Sequence, residues 1–142
     1  MTSHLLDVNV VIALIDPQHV HHDRAHDWFA DRGGSRWHTS PTVQNGVIRV
    51  VSNPKYSNTQ PAPVVIASLA SLTARGDHLF LADAVSLLDS SVHTERLLAN
   101  SQVTDTYLLH LAASNEAQLA TFDTRIVTSA VPSGAEVVFQ IP

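Results

Sequence analysis

Asp7, Asp105 and Asp123 are the side chains of this sequence best placed to act on a substrate. Asp7 follows the apolar pair Leu5-Leu6, and Asp123 follows Leu119-Ala120-Thr121-Phe122. Both acids fall where a buried strand should end, at the carboxyl edge where open parallel sheets hold their ligands. Asp105 lies in the first turn of an expected helix, whose positive dipole end favours an ionised carboxylate. Three aspartates that converge repel one another and raise each other's pKa unless a cation neutralises them. An all-oxygen donor set suits Mg²⁺ or Mn²⁺. The chain has no cysteine, so thiolate metal sites are excluded. A pair of such ions about 3.5–4 Å apart activates water and neutralises charge during in-line attack on a phosphodiester. Hydrolysis of a nucleic-acid backbone is therefore the chemistry this set would support. Each acid also has a plain structural reading: Asp105 as a helix-capping charge, Asp123 as a turn former and Asp7 as a strand-end residue.

The acids can meet only if the intervening chain builds the sheet that carries them. Short apolar runs alternate with amphipathic stretches throughout, which predicts an α/β class with a mostly parallel sheet of about five strands. The expected strands are His4 to Asp7, Arg36 to Thr39, His78 to Leu81, Gln118 to Phe122 and Glu136 to Phe139. Helices are expected over Val8 to Ile15, His19 to Ala30, Pro41 to about Val51, from Pro61 onward, Ser90 to Ala99, Val103 to Ser114 and Thr124 to Ser129. Pro17 stops the first helix, Gly33 and Gly34 break the second, and Pro41 suits a first helical turn. Residues 52–63 read as a surface loop.

With 142 residues, the chain predicts a single domain, 1–142, that buries about two thirds of its unfolded surface. Hydrophobic residues make up 44% and charged ones 15%, which argues against a disordered chain. The formal charge of −5 removes the global basic field that would bind nucleic acid indiscriminately, so such a substrate must be held locally. Nine histidines reverse that charge if all are protonated, so surface charge should change sign as pH falls through about 6.5. The apolar runs fall short of the ~20 residues of a spanning helix, and the start lacks a basic leader segment, so neither a membrane anchor nor an export signal is expected. Cytoplasmic residence is the corresponding expectation.

Leu5-Leu6-Asp7-Val8-Asn9, Val103-Thr104-Asp105-Thr106-Tyr107 and Ala120-Thr121-Phe122-Asp123, in that order and with these intervening lengths, resemble PIN-domain ribonucleases, specifically VapC-type toxins of toxin–antitoxin modules. Thr42 to Val50, followed by Ser52-Asn53-Pro54, resembles one branch of that family. The resemblance spans nearly the whole chain. It implies a three-layer α/β/α fold, Mg²⁺- or Mn²⁺-dependent cleavage of RNA, a small antitoxin partner and a homodimer. It makes Asp7, Asp105 and Asp123 the catalytic and metal-site acids, with Asn9 supporting Asp7. Where most members carry a glutamate on the third helical segment, this chain offers Asn45, or Gln44 in the neighbouring register. Neither is acidic, so weaker metal binding is expected.

Thr121 is expected to point into the same site, and Arg49 and Arg125 are the candidates for substrate phosphate. His19, His22 and His26 share a helical face that could present imidazoles to a transition metal, but packing or hydrogen bonding suits them better. His21 is expected in solvent, and Asp16, Asp83 and Asp89 are expected in solvent or as caps. A phosphoacceptor receiver is disfavoured because the sole lysine, Lys55, lies in a mid-chain loop and no acidic pair ends the first strand. An aspartyl phosphotransferase needs a second acid where Asn9 stands. The serious rival is a catalytically weak or inactive PIN-like module that binds RNA or protein.

Overall fold

In a computed structural model, residues 2–142 are described. Its sheet pairs β1 (His4–Leu6) in parallel with both β2 (Trp37–His38) and β3 (Gln118–Thr121), and β3 with β4 (Val138–Gln140), in the order β2-β1-β3-β4. The two central strands come from near opposite ends of the chain. Leu5, Leu6, Leu119 and Ala120 are fully buried on them, as expected of strands covered on both faces. Leu6 aligns with Ala120, so the residues that leave both strands, Asp7 and Asp123, emerge at one edge.

The helices are α1 (Val8–Ile15), α2 (His22–Asp31), α3 (Pro41–Val51), α4 (Ala62–Thr73), α5 (Val103–Ser114) and the single turn α6 (Gly134–Val137). α1 is a wholly apolar run except for Asn9, with Asp7 as its N-cap and Asp16 as its C-cap. α3 starts with Ser40, whose Oγ accepts from the Val43 N–H, and with Pro41 in the first turn. α2 covers the face carrying His4 and Trp37, with Trp28 edge-on to His4 at 5.2 Å and Phe29 edge-on to Trp37 at 5.1 Å. α5 packs on β1 and β3, and α1 packs against α2, α3 and α4. Gly46 lets α3 close on α1, because a Cβ there would stand 2.8 Å from Val8 Cγ2.

Several expected elements are corrected. The sheet has four strands rather than about five among the described residues, because residues 78–81 make only one bridge, Trp37 to His78. They still run beside β2, with Leu79 N–H donating to Trp37 O and Leu81 N–H to Thr39 O. α2 begins at His22 rather than His19, because Asp16 Oδ1 accepts from the Gln18 N–H and His19 Nδ1 from the His21 N–H, bending the chain first. No α-helix spans Ser90 to Ala99. Asp89 takes the Ser91 N–H, and Gln102 Oε1 takes the Leu98 and Ala99 N–H groups, leaving two short 3₁₀ turns at Thr94–Arg96 and Asn100–Gln102. The expected helix over Thr124 to Ser129 is a turn opened by Asp123 Oδ1, which accepts from the Arg125 N–H. The last strand starts at Val138, two residues later than expected, because Glu136 is taken up by α6.

Candidate active site

Asp7 sits between the end of β1 and the start of α1 and is 6% exposed. Its Oδ1 accepts from the Val8 N–H at 2.7 Å, and its Oδ2 accepts from the Thr121 hydroxyl at 2.8 Å. Burial pushes its carboxyl above the ordinary range, the two hydrogen bonds oppose that, and the Asp123 charge adds to it. Thr121, fully buried at the end of β3, is the hub of the site. While donating to Asp7, its Oγ1 accepts from the Asp123 N–H at 3.0 Å and from Asn9 Nδ2 at 3.4 Å. Asn9 Oδ1 in turn accepts from the Phe122 N–H at 3.4 Å. One hydroxyl thus ties together the ends of β1 and β3 and the first turn of α1.

Asp123 is held from two further sides. Its Oδ1 accepts from the Arg125 N–H at 2.8 Å, and its carbonyl accepts from Gln140 Nε2 at 2.7 Å. Asp105 enters from α5, half-buried in the first turn. Burial, followed by the charges of Asp7 and Asp123, raises its pKa to about 6. The charges of Asp7 and Asp123 thus both reach Asp105, although more than a hundred residues separate Asp7 from Asp123.

The side chains do not close into a ready cage: among the described residues, no three acidic, imidazole or thiolate groups are arranged to hold one ion. Asp7 and Asp123 instead turn oxygens toward local donors. The donor set nevertheless suits a hard cation, since it is all oxygen and neighbouring negative charge raises the carboxyls of Asp7 and Asp105. Of the two amides, Gln44 is tied to the sheet edge, its Nε2 donating to Thr39 Oγ1 at 3.0 Å, whereas Asn45 is exposed. Arg125 stands two residues after Asp123, beyond Thr124, and is exposed. Arg49 lies in the last turn of α3 and is exposed.

The histidine face resolves into caps. His22 Nδ1 bonds to Ala13 O at 2.7 Å and His26 Nε2 to Leu14 O at 2.9 Å, so both satisfy carbonyls at the end of α1. His19 lies outside α2, and His21, expected in solvent, stacks on Phe122 with ring centroids 4.7 Å apart. Asp83 acts as a cap, accepting from the Thr42 N–H and hydroxyl at the start of α3. Asp16 caps α1, as one of its two expected roles had it, but it is buried rather than in solvent and accepts from the Tyr56 hydroxyl and from Asn58 Nδ2 at 2.7 Å. Burial opposes its charge, but these bonds and the Gln18 N–H outweigh it and hold the carboxyl below its ordinary range. Gln140 was invisible to sequence reasoning, because a glutamine on a short edge strand carries no signal of its partner.

Residues 4–130 match the PIN domain. The chain belongs to the PIN-domain family. Ribonuclease VapC44 of Mycobacterium tuberculosis is 41% identical to this PIN domain over 137 residues, covering 93% of this chain and 94% of that protein. Ribonuclease VapC38 of the same organism is 41% identical over 130 residues, 89% of each chain, and Ribonuclease VapC39 is 38% identical over 135 residues, 94% of this chain and 97% of that one. Solved structures of similar fold include the sarcin-ricin loop cleaving toxin VapC20 of Mycobacterium tuberculosis, with a TM-score of 0.64, 13% identity and coverage of 86% of this chain and 91% of that one. VapBC2 of Rickettsia felis, bound to a promoter DNA fragment, gives a TM-score of 0.56 at 12% identity over 87% of this chain and 90% of that one.

Proposed function

We propose that this PIN domain is a Mg²⁺- or Mn²⁺-dependent endoribonuclease that hydrolyses RNA phosphodiester bonds as the toxin of a type II toxin–antitoxin pair. The observation that carries the reading is the Thr121 hydroxyl joining Asp7 to Asp123 while both of their charges raise Asp105. Asp7, Asp105 and Asp123 would hold the cation, and the ribonuclease names of relatives at 38–41% identity support the reaction class. When bound, the ion supplies Lewis-acid polarisation of a phosphodiester and charge neutralisation.

The chain's own residues supply position and proton control. Thr121 fixes Asp7 Oδ2 and the Asp123 backbone in one register, and Asn9 holds the turn after β3 through the Phe122 N–H. Asp105, with its pKa raised to about 6, takes up or releases a proton close to neutral pH. Arg125 is the cation best placed to meet a substrate phosphate from this edge. Gln44 occupies the position of the missing carboxylate at the edge, with Asn45 outside it. The cation site is thus short of one negative charge.

The partner is a small antitoxin protein and the assembly a homodimer. α4 supports an apolar partner surface, since it carries no charged residue and leaves Val64 and Ile66 about half exposed, at 47% and 50%. No described helix is long and apolar enough to cross a membrane, and we place the protein in the cytoplasm.

A second reading, a PIN-like module with little or no cleavage, is favoured by Gln44 and by the side chains' turn toward local donors. Labelled RNA incubated with Mn²⁺, Mg²⁺ or chelator decides between the two. The nuclease reading expects metal-dependent fragments that disappear with Asp7→Asn; intact RNA in every lane supports the binding module.

A further inference from the structure

Arg24 is exposed on α2, yet its guanidinium is bound at all three nitrogens. Nε donates to Pro142 O at 3.1 Å and Nη2 to Ile141 O at 3.0 Å, just beyond β4. Nη1 stands 3.0 Å from His21 Nδ1, and because a guanidinium only donates, that imidazole nitrogen accepts. The same group lies over the Phe122 ring, its carbon 5.0 Å from the ring centre. His21 also stacks on that ring, with 27° between the planes. A free surface arginine samples many rotamers, so this many simultaneous partners mark a built connection.

The connection reaches the backbone that presents Asp123. Asp7 caps a helix and Asp105 sits within one, whereas Asp123 opens a turn and needs support from outside its own element. Phe122 is its direct neighbour in sequence, and β4 holds it from the side: the Ile141 N–H donates to Thr121 O at 3.0 Å and Gln140 Nε2 to Asp123 O at 2.7 Å. β4 is three residues long and, among the described residues, pairs on one side alone, at the edge of the sheet. A short edge strand near a chain end frays unless something ties it down. Arg24 supplies the tie at the two residues that follow Gln140. It therefore acts on Asp123 by two routes, through the Phe122 ring and through the chain beyond β4.

We propose that Arg24 is a positioning residue for Asp123: it pins Phe122 and the chain beyond β4 so that the Asp123 carboxylate meets the cation in one place. The inference rests on the reading of the three acids as a cation site and adds to it a residue from a different layer of the fold. Binding constellations work only within about 0.5 Å of their productive geometry, so loosening this turn weakens the site without removing a ligand from it.

The test titrates Mn²⁺ alone, by electron paramagnetic resonance, into the full chain and into Arg24→Gln, Gln140→Leu, their double variant and Asp7→Asn. Both Arg24 and Gln140 are exposed, and the titration is run where circular dichroism shows every variant folded. Arg24→Gln should weaken Mn²⁺ binding about fivefold, and the double variant should lose less than the product of the two single effects, because both act on Asp123. Amide exchange should speed about tenfold at Phe122 and Asp123 and hardly change in α3. In RNA cleavage, kcat should fall with KM unchanged. Unchanged Mn²⁺ affinity and exchange in Arg24→Gln, beside weakened affinity in Asp7→Asn, overturns the proposal and leaves the cation site standing. Equal affinity in Asp7→Asn and the unaltered protein overturns the cation site and the proposal together. A rise in KM alone assigns Arg24 to the substrate, and exchange raised equally in α3 marks a purely structural role; either result overturns the positioning of Asp123.

Discussion

At the scale of single residues, the site depends on one hydroxyl and one raised carboxyl. Thr121→Val strips Asp7 Oδ2 and the Asp123 N–H of their shared partner. It should cost about 1–3 kcal/mol of stability, measured by urea denaturation, and lower any metal-dependent cleavage by more than its loss of folded protein explains. Asp105 offers a test with a defined sign. Its folded pKa of about 6 exceeds its ordinary value of 3.8, so the folded state binds the extra proton between those limits. Its contribution to stability is complete below about pH 4 and is lost as pH rises through about 6. Asp105→Asn should therefore stabilise the protein at pH 7 by on the order of 1 kcal/mol, a figure reduced for solvent screening, and the gain should vanish near pH 4. Denaturation midpoints at the two pH values check this, and an equal effect at both would contradict the coupling. The positions of Asp7 and Asp123 at strand ends and of Asp105 in a first helical turn were legible from apolar runs, and the nearness of Thr121 from its spacing to Asp123, whereas Asn9 entered only through the family resemblance. The bond from Gln44 to Thr39 was not legible, since adjacent helical residues point about 100° apart and periodicity carries no signal of a side-chain partner.

At the scale of elements, the boundaries of α1, α3 and α5 were readable because a cap or a proline stands beside an apolar periodicity. The segments 90–99 and 124–129 were not. There Asp89, Gln102 and Asp123 bond to nearby backbone, and the helix loses that competition. The loop after α3 was legible as a loop but not as an anchored one: Asp16, at the end of α1, holds Tyr56 and Asn58 across some forty residues of sequence. Asp16→Ala should cost about 1–3 kcal/mol and raise amide exchange within residues 52–60 more than elsewhere. Gly134 is under harder constraint, since a Cβ there would stand 2.2 Å from the Thr128 carbonyl oxygen. Gly134→Ala must shift backbone between the Asp123 turn and β4, for an expected loss of about 1–3 kcal/mol by thermal melting.

At the scale of the whole molecule, pairing β1 with β3 converts acids from the two ends of the sequence into one site. The chain's net charge of −5 places no broad positive field around it, so RNA binding should depend on few contacts and fall only modestly with salt. The central claim is that Asp7, Asp105 and Asp123 share a divalent ion, and Mn²⁺ binding reads this without reference to cleavage. Free Mn²⁺ followed by electron paramagnetic resonance should show saturable binding to the unaltered protein, weakened about tenfold or more by Asp7→Asn or Asp105→Asn and tightened by Gln44→Glu but not by Asn45→Glu. Equal Mn²⁺ affinity in the unaltered protein, Asp7→Asn and Asp105→Asn would contradict the shared site.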